Sequence, residues 1–486
     1  MEKKKPLTQL RGIRLEKLEK LQEKKINAYP SQSRRDDTVV QALKSLGRET
    51  AIAGRVIAWR GHGKMQFADI RDESGRMQVV FKVDVLDKDK FEMLGLFDIG
   101  DFLAVQGEVF KTKAGEISVL VKDLQLLSKS LRPLPSKWHG LKNKEECYRY
   151  RYLDFLFNKK AKEKIETRAK ALKAIREFLG KEGFIEIETP ILETQASGAI
   201  AKPFTTHINA YDLNLYLRVC MGELWQKRLI IGGFEKTFEL GKAFRNEGVS
   251  KQHNPEFTML EYYWAYADYK MNMALQEKLI AYVVKNSVGR LPIKYQREEI
   301  DFTPPYPRRK FREVIREETG LDIDKYKSKE SLIKAVKKHH LKLDQRWGWT
   351  HIVDEFYKQH IRPKMKGPMF LTHHPADLKP LAKRDSDDSE YTESFQLIVN
   401  GFELSNNYSE LNDPIDQGKR FAEQKKLDKA GDDETMAEDD EFIESLEYGM
   451  PPTTGAGIGI DRLVAVLTDS HSLREVIAFP LMKPKK

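Results

Sequence analysis

Phe238 to Tyr269 reads FELGKAFRNEGVSKQHNPEFTMLEYYWAYADY, and the reading of the fold starts from this stretch. Two apolar-flanked segments are joined by a loop. Among them stand Arg245, Glu247, His253, Asn254, Glu256, Phe257 and Glu261. A hairpin that only filled a sheet would not need so many charged groups between its strands. Arginine presents a fixed fork of donors, the right shape to grip a phosphate and a carboxylate together. Phe257 offers a face on which a purine ring would stack. The stretch predicts two strands that hold a nucleotide-like, anionic ligand.

Two further stretches flank it. GFIEIETPIL, Gly183 to Leu192, follows a helical pattern and contains Pro190. Proline cannot donate to a ladder, so a strand ending there suits an edge or an interface. GAGIGIDRL, Gly455 to Leu463, sets three glycines ahead of a helix that carries Arg462. Its spacing is not that of a P-loop, and Arg462 stands where a dinucleotide fingerprint needs its last glycine. Taken singly, the first reads as a plain edge strand and the second as a glycine-rich turn.

A chain of 486 residues is too long for one ordinary core, so two or more domains are expected. With 40% hydrophobic and 33% charged residues it has the make-up of a soluble globular protein. No apolar run approaches the ~18 residues of a membrane span, and the basic MEKKKPLTQL leads into no apolar leader segment. Two cysteines, Cys147 and Cys220, build neither a disulfide framework nor a zinc cluster. A cytoplasmic protein without membrane attachment is the expectation. The net charge of +10 favours a polyanionic partner. Residues 1–50 hold 13 basic and 7 acidic side chains, whereas Asp432 to Glu447 holds nine acidic and no basic ones. The first segment suits phosphates; the second reads as a solvated helix face.

Leucines at 7, 10, 15, 18 and 21 recur at helical spacing among Lys and Arg, predicting a basic amphipathic helix over Leu7–Ile26. Such a helix either packs on its own domain or touches nucleic acid. Over 51–127 the pattern changes to five strand-like runs with a helical stretch near Lys88–Leu96 between the third and fourth. Ser74-Gly75 and Ala114-Gly115 sit where hairpins need turns. That order is the order of an OB-fold barrel. Phe67 and Gln78 would approach across the second hairpin, as a stacking aromatic beside an edge-reading amide, or simply as a core residue beside a surface one. The predicted organisation is a basic helical extension (1–50), a five-stranded OB barrel (51–130), a proline-bearing linker (131–145) and an α+β domain (146–486). The last carries a mostly helical insertion at about 303–388, from which no chemistry is read.

Together and in order, the three stretches of the second part resemble the three signature motifs of class II aminoacyl-tRNA synthetases. The preceding barrel is similar to that of the aspartate, asparagine and lysine subgroup. RPLPSKWHGLKNKEECYRYRYLD, HNPEFTMLEYYWAYADY, YSELNDPIDQ and AGDDETMAEDDEFIESLEYGMPPTTGAGIGIDRL resemble segments of the lysine-charging members. The resemblance covers nearly the whole chain. It implies an antiparallel sheet flanked by helices, and a ligase that makes lysyl-adenylate from L-lysine and ATP with Mg2+ and passes lysine to its tRNA. It also implies a homodimer formed through the Gly183–Leu192 strand.

By resemblance Arg245 bridges the α-phosphate and the lysine carboxylate, and Arg462 holds the γ-phosphate. Glu247, His253, Asn254, Phe257 and Glu403 line ATP. Gly198, Glu223, Glu261, Tyr263, Asn406, Tyr408 and Glu410 surround lysine, whose ammonium needs carboxylates. Phe67, Gln78 and Glu116 face the anticodon, and Glu403 with Gln396 occupies the metal positions. The chain also departs from the pattern. VCMGELWQKR is one residue longer before Glu223, Gln252 replaces an arginine, and Asn407-Tyr408 replaces Gly-Phe. Gln396 stands where the family has a metal-binding glutamate. Two other readings are a paralogue that modifies something other than tRNA and a non-catalytic OB-fold RNA-binding protein. The barrel with Phe67 and Gln78 opposes barrel-less relatives that modify proteins, Arg245 and Arg462 oppose a paralogue that no longer catalyses, and the RNA-binding reading leaves the ATP-site residues unexplained.

Overall fold

The computed structural model describes residues 6–135, 143–195, 198–199, 201–344, 347–429 and 439–485. Residues 136–142 of the expected linker and 432–438 of the acidic stretch lie outside them. The chain divides into two compact units, Met1–Leu141 and Lys142–Lys486.

The first unit is a closed five-stranded barrel: β1 (Glu49–His62), β2 (Met65–Arg71), β3 (Arg76–Lys82), β4 (Phe102–Lys111) and β5 (Ile117–Ser128). Ile52, Ile70, Val79, Phe81, Val105 and Val119 fill its interior, as period-two alternation requires. Asp72 closes the β2–β3 turn by accepting from the backbone of Ser74 and Gly75. The helical stretch between β3 and β4 is Lys88–Met93, continued by a tighter turn at Leu94–Leu96. Helix Leu7–Glu23 packs on its own unit. Leu21 is fully buried, and Arg14 donates to the carbonyls of Ile99 and Ser130 at 2.9 and 2.8 Å.

The second unit is built on an eight-stranded sheet. Its strands are β6 (Ile185–Glu186), β7 (Lys236–Phe244), β8 (Glu256–Ala265), β9 (Arg308–Lys310), β10 (Met369–Thr372), β11 (Ser394–Val399), β12 (Phe402–Ser409) and β13 (Thr453–Gly459). They lie in the order β9-β10-β11-β12-β13-β8-β7-β6. The six central strands pair antiparallel; only the outermost pairs, β9 with β10 and β6 with β7, are parallel. Alternation decides what each face carries. Phe238, Leu260, Tyr262, Ala456 and Ile458 turn to the helix side, where Leu279, Val283 and Val464 complete the core. Glu261 and Tyr263, one step out of phase, turn to the opposite face.

The Gly183–Leu192 stretch is shorter as a strand than the sequence suggests. Only Ile185–Glu186 joins the large sheet, while Leu192–Glu193 pairs with Leu213–Leu217 in a separate small one. The 303–388 region is helical in the middle, over Phe311–Thr319, Lys329–Lys337 and Trp349–His360, around its own core. Its ends give β9 and β10 to the sheet, so it is not wholly an insertion. Among the described residues no helix is long and apolar enough to cross a membrane.

Candidate functional site

The polar face of the sheet opens on a cavity of about 350 Å3. Every residue expected around ATP and lysine lines it; of the two expected metal positions Glu403 does and Gln396 does not. β7 and β8 bring in Arg245, Phe257, Glu261 and Tyr263; β12 brings Glu403, Asn406 and Tyr408; β13 and its following helix bring Gly455 and Arg462.

One end of the cavity is acidic. Helix Glu223–Ile231 begins at Gly222, whose φ of +66° suits glycine and reverses the chain just ahead of Glu223. Next to that turn, the backbone N–H of Met221 donates to Glu261 at 3.1 Å. Tyr408 donates to Glu223 at 2.6 Å. One turn along the helix, Lys227 is completely buried and its Nζ lies 2.9 Å from Glu223 and 2.6 Å from Glu410. The rings of Tyr263, Tyr408 and Phe442 surround the same ammonium. Sequence reasoning missed Lys227, since nothing in ELWQKR marks a lysine as internal.

The balance of charge is therefore three carboxylates against one buried ammonium. Burial pushes Glu261 up from the usual carboxylate range, and the charge of Glu223 adds to it. Burial also raises Glu410; Lys227 opposes this, Glu223 reinforces it, and the net shift is upward. Glu410 Oε1 and Glu261 Oε2 are buried without a hydrogen-bond partner among the described residues. A desolvated carboxylate set of this kind either holds protons or takes up a second cation.

The other end is basic. The Arg245 guanidinium lies 5.2 Å from the Phe257 ring centroid, and its Nε donates to the Val219 carbonyl at 3.2 Å. Arg462 donates to the Glu403 carbonyl at 2.8 Å, and Arg362 lies 3.6 Å from the Glu403 carboxylate. Asp461 accepts from the Thr258 N–H at 3.0 Å, which locks the Arg462 helix to β8. His253 is held below the usual imidazole range by burial and by Arg462. A neutral imidazole there accepts as well as donates. Asn254 Oδ1 is buried without a hydrogen-bond partner among the described residues, while its amide donates to the Glu256 carbonyl at 2.6 Å. Glu247 is exposed at the rim. Leu378–Leu381, from the region read as free of chemistry, also line the cavity, and Lys379 donates to Asn406 Oδ1 at 2.5 Å.

The metal positions divide. Mg2+ is commonly held by one or two carboxylates plus substrate phosphates. Glu403, in the cavity wall, fits that role beside a bound triphosphate. Gln396 does not fit it: the side chain is neutral, buried and outside the cavity wall, one strand beyond Asn406. Among the described residues no group of three or more His, Cys, Asp and Glu is placed to hold a metal.

On the barrel, Phe67 pairs with Val80 and Gln78 with Asp69, so Phe67 and Gln78 share a face one diagonal step apart. Gln78 is buried; its amide donates to Glu116 at 2.9 Å and its oxygen accepts from Ser118 at 3.0 Å. The Arg60 guanidinium lies 5.9 Å from the Phe67 ring. Arg60 and Arg76 both pair with Asp69 at 3.2 Å. The face is thus a connected network of cations, one half-exposed ring and a fixed amide.

An OB barrel and an antiparallel sheet bearing two cavity arginines define a class, and the comparisons agree. A model of "tRNA synthetases class II (D, K and N)" matches residues 143–483, and one of "OB-fold nucleic acid binding domain" matches 50–127. The chain belongs to the class II tRNA synthetases of that group. It is similar over nearly its full length to three proteins, each described as a lysine–tRNA ligase. The one from Pelotomaculum thermopropionicum is 47% identical, covering 99% of this chain and 96% of the relative. That from Moorella thermoacetica is 46% identical, with 98% of each covered. That from Thermotoga maritima is 45% identical, with 99% and 97% covered.

Proposed function

We propose that the chain activates L-lysine with ATP and transfers it to the 3′-terminal ribose of lysine tRNA. The observation that carries this reading is the charge of the cavity: three buried carboxylates with one internal ammonium at one end, and Arg245 with Arg462 at the other. An amino acid with a cationic side chain satisfies the first end, and a triphosphate the second. An aspartate-charging site would need the opposite sign where Glu223 and Glu410 stand.

The chemistry then requires no protein nucleophile. The lysine carboxylate attacks the α-phosphorus and pyrophosphate leaves; a terminal ribose hydroxyl of tRNA next attacks the lysyl-adenylate carbonyl and AMP leaves. Arg245 holds the lysine carboxylate against the α-phosphate, and Arg462 holds the departing γ-phosphate. Phe257 stacks the adenine, while Asn254 and His253 supply polar groups along the nucleotide. Catalysis is orientation and charge neutralisation. Mg2+ bound with ATP beside Glu403 would neutralise phosphate charge.

Phe67, Gln78 and Glu116 form the anticodon face of the barrel domain (51–130). The basic extension is 1–50, the linker 131–145 and the catalytic domain 146–486. A homodimer is part of the same reading, supported by the exposed Ile185, Ile191 and Leu192 at the edge of the second unit. Light scattering at micromolar concentration should give twice the chain mass. The scarcity of cysteine, two in 486 residues, favours a cytoplasmic location, which cell fractionation would test. Charging of lysine tRNA with labelled lysine tests the function, and no ester formed with saturating ATP and Mg2+ would refute it.

A further inference from the structure

Lys379 lies in the cavity wall, carried by the segment after β10, and its ammonium donates to Asn406 Oδ1 at 2.5 Å. Asn406 is directly opposite Gln396 across β11 and β12, and both side chains lie on one face. Gln396 Oε1 is buried next to the imidazole of the equally buried His374, its side-chain partner among the described residues. The position where the family resemblance calls for an accessory metal carboxylate therefore carries a neutral amide, and the residue directly opposite it holds a lysine ammonium.

The surrounding charges agree. Arg462 donates to the Glu403 main-chain carbonyl at 2.8 Å, and Arg362 lies 3.6 Å from the Glu403 carboxylate. Burial lowers the Lys379 ammonium, and Glu403 is the leading charge that opposes this. A second dication here, besides one carried by ATP beside Glu403, would be opposed by Arg462, Lys379, Arg362 and Lys358, poor surroundings for a hard metal. A lysine ammonium has three donors, and the bond to Asn406 uses one of them. The other two remain for phosphate oxygens.

Resting on the lysine-activating reading above, we propose that the Lys379 ammonium stands in for the accessory magnesium and meets the ATP phosphates there directly. Gln396 is then the matching half of the exchange. A glutamate at 396 would be drawn to Lys379 and would compete with phosphate for it. The Mg2+ carried by ATP beside Glu403 is unaffected by this substitution of cations.

The test counts metal ions as well as rates. Bound Mn2+ per site is measured by electron paramagnetic resonance with a non-hydrolysable ATP analogue. The measurement is made in wild type, in Lys379→Ser, in Gln396→Glu and in the double variant. Lys379→Ser should bind no extra Mn2+ and should lose roughly 100-fold in lysine-dependent pyrophosphate exchange, the scale for removing one fixed donor at a reacting centre. The double variant should bind one Mn2+ more than wild type and recover much of the rate. Gln396→Glu alone should gain no metal, because the ammonium still fills the place. Equal counts in wild type and double variant, a metal gained by Gln396→Glu alone, or an undiminished rate in Lys379→Ser would each overturn the proposal. If wild type shows no exchange with lysine while the counts differ as stated, the lysine reading falls and the cation exchange stands.

Discussion

Lysine is among the side chains least often fully buried, yet Lys227 has no exposed side-chain surface. It is tolerated because Glu223 and Glu410 hold it, and their pull outweighs the desolvation that would lower its basicity. The same carboxylates outnumber it, and on the proposed function the excess receives the ammonium of the lysine substrate. Glu410→Gln should therefore raise the KM for lysine about 100-fold or more, as for a buried ion pair with one partner lost at ~3–5 kcal/mol. The KM for ATP should stay close to wild type. Steady-state kinetics with each substrate varied separately checks both. The pH dependence follows from the raised Glu261 and Glu410 carboxyls. In the free protein these groups hold protons to higher pH than ordinary carboxyls, whereas an ammonium of pKa about 10.4 needs them ionised. Lysine binding thus expels protons, and the KM for lysine should fall as pH rises through the raised carboxyl range. A profile flat through that range, or rising with pH, would refute it. In Glu410→Gln the dependence should shrink.

At the scale of elements, β13 shows why a glycine-rich strand stands in the wall of the site. A Cβ on Gly455 would run into Glu410 Oε1 and lie 2.6 Å from Tyr263 Cε1. Gly455→Ala should cost about 1–3 kcal/mol, the usual price of overpacking, and much of it should appear in lysine binding. Calorimetric titration with lysine beside a melting curve separates the two; a lowered melting point with unchanged lysine affinity would contradict this. The barrel strands and the β7–β8 hairpin were legible because alternation and turn glycines are local signals. β6 was over-read: the apolar GFIEIETPIL pattern gives no sign that only two residues find a partner. Glu223, Glu261 and Glu410 are widely separated along the chain, so only the family resemblance could gather them. Lys379 was missed because a lysine among ADLKPLAK reads as solvent-facing until β12 places Asn406 against it.

At the scale of the molecule, the two units divide the labour: adenylate chemistry in one, tRNA recognition in the other. Phe67→Ala should remove stacking worth about 1–3 kcal/mol and raise the KM for tRNA, while lysine activation without tRNA stays near wild type. Loss of both activities together would contradict the division. Net charge, fold and cavity arginines suit any member of the aspartate, asparagine and lysine group; the acidic end of the cavity alone separates lysine from the others. The central claim is tested most directly by ATP–pyrophosphate exchange with each of the twenty standard amino acids supplied singly. Strong exchange with lysine and background with aspartate and asparagine is the expected result. Preferred exchange with aspartate or asparagine, or none with lysine, would contradict the account.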